Sequence, residues 1–217
     1  MREQRTENRE RRHIKQCRRI ANRKSGLIFV VSGPSGSGKT TLAESLLKDK
    51  RLKKQITRSI SFTTRAQRSA EKEGKDYFFI SKEQFDASLK TKKILEWTRY
   101  LGYYYATPRA FVSEQLDKGT SVLLCLDLKG ARKIKKIFPK NTITVFIRPP
   151  SIKELHSRIS ARCSMTRQEE ISRRLKLAES EMRYSKEYDY SILNKDFKQA
   201  IEELKKIVIR EINNNKE

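Results

Sequence analysis

The sequence predicts an α/β fold of three layers, α/β/α, built on a parallel core sheet. Three features predict it. LIFVVS at 27–32 is a short continuous apolar run, the pattern of a strand buried on both faces of a parallel sheet. After a glycine-rich turn, Leu42, Ala43, Leu46 and Leu47 recur at helical spacing. Further strand-like runs at 56–63, 76–80, 121–127 and 141–147 are separated by helical segments, and that alternation gives a parallel sheet flanked by helices. At 217 residues the chain suits one well-buried domain with a small accessory region better than two independent cores.

Taken in order, residues 1–24 carry ten Lys or Arg against three Glu, a net of +7, with Ile14, Ile20 and Ala21 the only aliphatic residues after the initiator. This segment reads as a basic, disordered or marginally helical extension, with RNA or membrane-surface contact as the alternative. Glu3, Glu7 and Glu10 argue against a transit peptide, a class poor in acids. Beyond it, three helix starts carry capping boxes, a hydroxyl followed three residues on by Gln or Glu: Ser81 with Gln84, Ser151 with Glu154, and Thr166 with Glu169. The whole chain has a formal charge of +24, so +17 belongs to the remainder and the basicity is not confined to the tail. Such a field either gathers phosphorylated small molecules or marks a nucleic-acid footprint.

Composition excludes several classes. With 36% hydrophobic and 35% charged residues the chain reads as a globular protein with an ionised surface. No run approaches the roughly 20 apolar residues a membrane span needs, and no signal-peptide core opens the sequence, so a cytoplasmic protein is expected. Cys17, Cys125 and Cys163 are odd in number and widely spaced, and the only histidines are His13 and His156, so neither a disulfide framework nor a zinc site is supported.

The most specific signal is Gly33-Pro34-Ser35-Gly36-Ser37-Gly38-Lys39-Thr40, which fits G-x-x-x-x-G-K-[ST] without a mismatch, between a strand and a helix. Glycines there let consecutive N–H groups turn inward on a polyphosphate, and the following helix adds its positive dipole end. Lys39 is placed for the β and γ phosphates, and the Thr40 hydroxyl for the Mg²⁺ that bridges them. The expected ligand is Mg·ATP, held over 33–41 with Thr41 included. What receives the phosphate must be read elsewhere. Arg65 and Arg68 stand three apart after a strand-like run, a spacing that lets two guanidinium forks converge on one phosphate, with Tyr77 as a further hydroxyl donor. Ordinary solvated arginines would look the same.

Together with VVSGPSGSGKTTL, the segments SFTTRAQR, EGKDYFF, ILEW, GYYYATP, LDLKGA, PPSIKEL and ISRRLKLAESE follow one another in an order that resembles the guanylate kinases over about 26–204. The resemblance implies a nucleotide core domain over 25–60 and 108–217, a GMP-binding subdomain over 61–107, and a lid over about 158–174. It implies that Arg65, Arg68, Tyr77 and Tyr105 grip the GMP phosphate while Ser61, Glu96, Thr107 and Asp127 surround the guanine. A carboxylate such as Glu96 suits guanine, whose N1–H and amine are donors, and would face an unprotonated ring nitrogen in adenine. It also implies that Arg158, Arg162 and Arg174 reach the phosphates or the adenine from the lid, that Asn194 lies near the adenine, and that Asp127 joins Lys39 and the arginines in catalysis. Arg158 and Arg162 are four apart and share a helix face.

The chain departs from the family pattern at Cys125, where an Asp is common two residues before Asp127, at Ala106 and at Cys163, where Gly is usual. The lid runs one residue longer before Ile171, so the choice of Arg174 over Arg173 depends on that gap. Rival functions are a non-catalytic interaction module of related fold, a P-loop kinase of a phosphorylated sugar, and RNA binding by the tail. Monomer and homodimer both remain open.

Overall fold

A computed structural model describes residues 25–100, 102–162 and 168–216. The basic segment 1–24, Cys163 and the Thr166 end of the third capping box lie outside them. The core sheet has the order β2-β7-β1-β8-β9, from Ile56–Arg58, Ser121–Cys125, Ile28–Ser32, Thr142–Arg148 and Tyr190–Leu193, and every pairing in it is parallel. The three-layer α/β/α expectation is therefore borne out. β1 lies at the centre, all five of its residues buried, as an uninterrupted apolar run requires.

Successive β1 side chains supply opposite faces. Phe29 and Val31 pack with Leu42 and Leu46 of α1 (Lys39–Leu47) and with Leu204 and Val208 of the C-terminal helix α7 (Phe197–Asn214). Ile28 and Val30 pack with Val112 and Leu116 of α3 (Arg109–Asp117) and Ile134 of α4 (Leu128–Ile137). Each such side chain, wholly out of water, contributes about 1.5–3 kcal/mol. The strand carboxyl ends then point to one side, where β1 runs into the glycine loop and β7 into Asp127.

A second sheet has the order β4-β3-β6-β5, from Phe78–Phe79, Phe62–Thr63, Tyr103–Pro108 and Ile94–Tyr100. It is mixed: β3 pairs parallel with β4, while β6 runs antiparallel to both β3 and β5. α2 (Lys82–Lys90) covers it through Phe85. The single strand expected at 56–63 is two strands in two sheets. Ser59 N still donates to Leu123 in the core sheet, but Ser61 O already accepts from Phe78 N, so the chain changes sheets between them. The β5–β6 hairpin was not anticipated. Gly102 lies in its turn with φ 90°, a left-handed value suited to glycine.

The Ser81 capping box is complete. At Ser151 only half forms: Glu154 N donates to Ser151 Oγ at 3.1 Å, while the Glu154 carboxylate accepts from Arg158 Nε at 3.0 Å instead of turning back to the cap. These two residues lie on α5 (Ile152–Arg162), which precedes α6 (Gln168–Met182). No helix among the described residues is long and apolar enough to cross a membrane.

Candidate functional site

A cavity of about 930 Å³ opens between the strand ends of the core sheet and the second sheet. At one end stands the glycine loop. Gly33, Gly36 and Gly38 have φ of 144°, 85° and 91°, and Gly38 is the N-cap of α1. A Cβ on Gly33 would lie 2.4 Å from the Ile147 carbonyl, so neither the angle nor the space admits a side chain. Lys39 Nζ curls back to donate to the Pro34 carbonyl at 3.3 Å. Gly33, Ser35, Lys39 and Thr40 line the cavity.

The loop is braced from behind. Asn194 is buried, its Nδ2 donates to the Ser37 carbonyl at 2.8 Å, and its backbone N–H holds the Arg148 carbonyl at 2.8 Å. The sequence placed Asn194 near an adenine; its amide nitrogen here is committed to the loop itself. Leu155 and Ile159 of α5 pack beside Gly36, where a Cβ would lie 3.1 Å from Ile159 Cγ1. The buried hydroxyl of Ser37 makes no hydrogen bond. An orphaned hydroxyl in a glycine turn that opens a helix suits a polyphosphate.

The other end of the cavity is built from side chains. Ser61, Arg65, Arg68, Tyr77, Glu96, Tyr105 and Asp127 all line it. Arg65 Nε donates to the Tyr105 hydroxyl at 3.3 Å, and its guanidinium lies 5.6 Å over the Tyr77 ring. Burial pushes the Tyr77 hydroxyl up from its ordinary value, so it stays a neutral donor. Glu96 is almost fully enclosed. Thr107, beside it on β6 and itself buried, donates its hydroxyl to Glu96 Oε1, so Thr107 touches the carboxylate and does not line the cavity. Burial raises the Glu96 carboxyl to about 7, opposed by the Thr107 hydrogen bond and helped by the charge of Asp127. The first turn of α4 passes so close that a Cβ on Gly130 would stand 2.9 Å from Glu96 Oε2. Asp127 is the N-cap of that helix, its Oδ1 accepting from Gly130 N at 2.8 Å.

The lid arginines are not gathered in the same way. Arg158 pairs with Glu154 on its own helix and does not line the cavity. Arg162 ends α5 and Arg174 lies within α6, but their side chains fall outside the described residues. Thr41, Pro34, Gly36, Ser37 and Gly38 lie in or just after the loop and do not line the cavity.

Several cavity residues escaped the sequence reading. Arg58, at the end of β2, lies 3.7 Å from Glu44 of α1, and both line the cavity beside Cys125, whose thiol burial pushes upward. Glu71 holds Arg65 in a bidentate pair. Glu181, near the end of α6, faces Lys39 and Asp127 electrostatically, and burial lifts its carboxyl to about 7. Tyr188 packs on Phe146 outside the cavity lining, and burial pushes its hydroxyl up to about 12, opposed by the neighbouring Ser32 hydroxyl. No local spacing marks these residues; the strand-end position of Arg58 was the one available signal.

For Mg²⁺, no cluster of three or more His, Cys, Asp or Glu side chains exists among the described residues. The exposed Thr40 hydroxyl beside the loop is a hard oxygen donor, which suits an ion that takes one or two protein oxygens and the rest from phosphates and water.

Comparison with known proteins gives the family. The guanylate kinase family model matches residues 25–211. The chain is 41% identical over 189 residues to a guanylate kinase of Caldanaerobacter subterraneus, covering 87% of this chain and 89% of that one. It is 41% identical over 190 residues to a guanylate kinase of Clostridioides difficile, covering 88% and 90%. A crystal structure of guanylate kinase from Anaplasma phagocytophilum superposes with a TM-score of 0.72 at 34% identity, over 87% of each chain.

Proposed function

The chain belongs to the guanylate kinase family, and from that premise we propose that it transfers the γ-phosphate of ATP to GMP, and to dGMP, releasing ADP and GDP in the cytoplasm. One observation carries the reading: a single cavity is lined both by Lys39 of the phosphate loop and by the enclosed carboxylate Glu96. A P-loop kinase of a phosphorylated sugar would have no base for Glu96 to read.

In this reading the loop amides of 33–40 and the Lys39 ammonium hold the triphosphate. Thr40 would be the protein ligand of Mg²⁺, which would supply positive charge to the triphosphate. Arg65, Arg68, Tyr77 and Tyr105 orient the GMP phosphate toward the loop, and that phosphate is already ionised at neutral pH, so no general base is required. Glu96 accepts from guanine N1–H and the exocyclic amine. Thr107 fixes the carboxylate's orientation, with Ser61 and Asp127 beside the base.

Phosphoryl transfer depends on positioning and charge neutralisation. The segment 61–107 serves as the acceptor subdomain, and 158–174 as the lid that brings Arg158, Arg162 and Arg174 over the phosphates, with water excluded as it closes. For Arg158 closure means exchanging the Glu154 carboxylate, an exposed partner worth about 0.3–0.5 kcal/mol, for phosphate oxygens. Asn194 keeps the loop in shape beneath the nucleotide. The test is ADP release with GMP, dGMP, AMP and UMP offered separately to wild type and to Lys39→Ala. Turnover with the two guanine nucleotides, absent in the variant, is expected; turnover with AMP or UMP alone would overturn the reading.

A further inference from the structure

All three nitrogens of the Arg65 guanidinium already have acceptors. Nη2 donates to both oxygens of Glu71 at 2.7 and 2.9 Å, Nη1 to the Ala66 carbonyl at 2.6 Å, and Nε to the Tyr105 hydroxyl at 3.3 Å. The pair is largely out of water, with 11% of the Arg65 side chain and 17% of the Glu71 side chain exposed. Glu71 is held a second time, because its Oε2 accepts from Arg68 N at 3.0 Å. A carboxylate therefore joins the two arginines and lines the cavity with them, at the place where a substrate phosphate has to sit.

We propose that Glu71 is the resident anion of the acceptor-phosphate site, and that the phosphate of the incoming nucleotide binds by displacing it. The inference rests on reading Arg65, Arg68, Tyr77 and Tyr105 as the phosphate grip. A guanidinium donates to carboxylate and phosphate oxygens alike, so the two anions compete for Nη2, which both Glu71 oxygens occupy. An arginine this far out of water is costly to leave unpaired, and Glu71 supplies the counter-charge while the site is empty. The backbone that carries it is tied, with Glu71 N donating to the Arg68 carbonyl at 3.0 Å and Gln67 Nε2 to the Glu71 carbonyl at 2.6 Å, so the exchange asks only the Glu71 side chain to swing away. Phosphate binding would thus release the Glu71 carboxylate into solvent.

Displacing a resident group lowers the apparent affinity of every ligand that needs the fork by one common factor, because the cost belongs to the protein. Ligands that do not need the fork are untouched. The test is calorimetric titration, without ATP, of GMP, guanosine and inorganic phosphate into the full chain as wild type, Glu71→Gln and Glu71→Ala, with thermal melting of each. Glu71→Gln keeps the shape and removes the charge. Both variants are expected to bind GMP and phosphate about fivefold or more tightly than wild type, to leave guanosine unchanged, and to melt at lower temperature when empty. GMP and phosphate affinities that fall or stay the same in both variants would overturn the proposal and make Glu71 a support that aims Arg65. Wild type that binds phosphate but neither GMP nor guanosine would instead defeat the guanylate reading, and tightening of phosphate in the variants would then still support the exchange.

Discussion

The two ends of the cavity are built by different means. Between Gly33 and Thr40 the cavity wall is a backbone turn: three glycines at positive φ and a helix start, braced by Asn194 and closed against the Ile147 carbonyl. At the acceptor end it is side chain: Arg65, Arg68, Tyr77 and Tyr105, with Glu96 held by Thr107, drawn from β5, β6 and the loop between β3 and β4. A backbone cradle recognises phosphate groups whatever nucleoside carries them. A side-chain site can discriminate, but its buried charges need partners, and Glu71 for Arg65 and Thr107 for Glu96 are the partners that the structure supplies.

The sharpest break in that contrast comes from the donor end. Lys39→Ala removes the loop's one mobile charge and should lower turnover on the order of 10³-fold while the melting temperature stays within a few degrees, as measured by coupled ADP release and calorimetry. Gly33→Ala should do the reverse in kind. Forcing a Cβ against the Ile147 carbonyl at φ 144° should cost about 2–4 kcal/mol of stability, seen in denaturant unfolding, whatever ligand is present.

At the acceptor end, Glu96→Gln should lower kcat/KM for GMP about 10²-fold and leave the affinity for ATP unchanged. Acidity gives the same residue a second signature. Burial raises the carboxyl to about 7 in the folded protein, above its unfolded value, so its contribution to stability is fully present at low pH and disappears as pH rises through 7. Glu181 shares this sign and window, so wild type minus Glu96→Gln is the informative difference. At pH 8 the variant should be the more stable by on the order of 2 kcal/mol, and below about pH 4, under the ordinary glutamate range, the two should match. GMP binding needs the ionised form, so KM for GMP should fall between pH 6 and pH 8 in wild type only.

The smallest effect is expected at Cys125. Its thiol lies beside Arg58 and Lys39, and Cys125→Asp should keep or modestly raise activity when Mg²⁺ is limiting; a several-fold drop at unchanged folding would remove the idea that a carboxylate is welcome there.

The same contrast explains what the sequence made legible. Gly33 to Thr40 is local in the chain, and its glycines, lysine and threonine bear a fixed spacing because backbone geometry demands it, so the loop and the strand and helix around it could be read directly. The buried run 27–32 and the box at Ser81 were legible for the same reason. The acceptor end joins residues such as Arg65 and Tyr105, 40 positions apart, and Glu96 with Thr107 across a hairpin whose register depends on pairing. Family resemblance named those residues; spacing alone left Arg65 and Arg68 indistinguishable from solvated charges. Glu71, Glu181 and Tyr188 were missed because an acid or a tyrosine in a charged segment acquires meaning only from what folding places against it. The run at 56–63 was misread as one strand because its apolar pattern does not register that Ser59 and Ser61 bond to different sheets.

The central claim is that one cavity joins ATP to a guanine monophosphate chosen by Glu96. It is tested most directly by following, with phosphorus NMR, the products formed from Mg·ATP and an equimolar mixture of GMP and AMP. Wild type should convert the GMP to GDP and leave the AMP intact, and Glu96→Gln should lose that preference. Consumption of AMP alongside GMP by wild type, or an unchanged preference in Glu96→Gln, would contradict it.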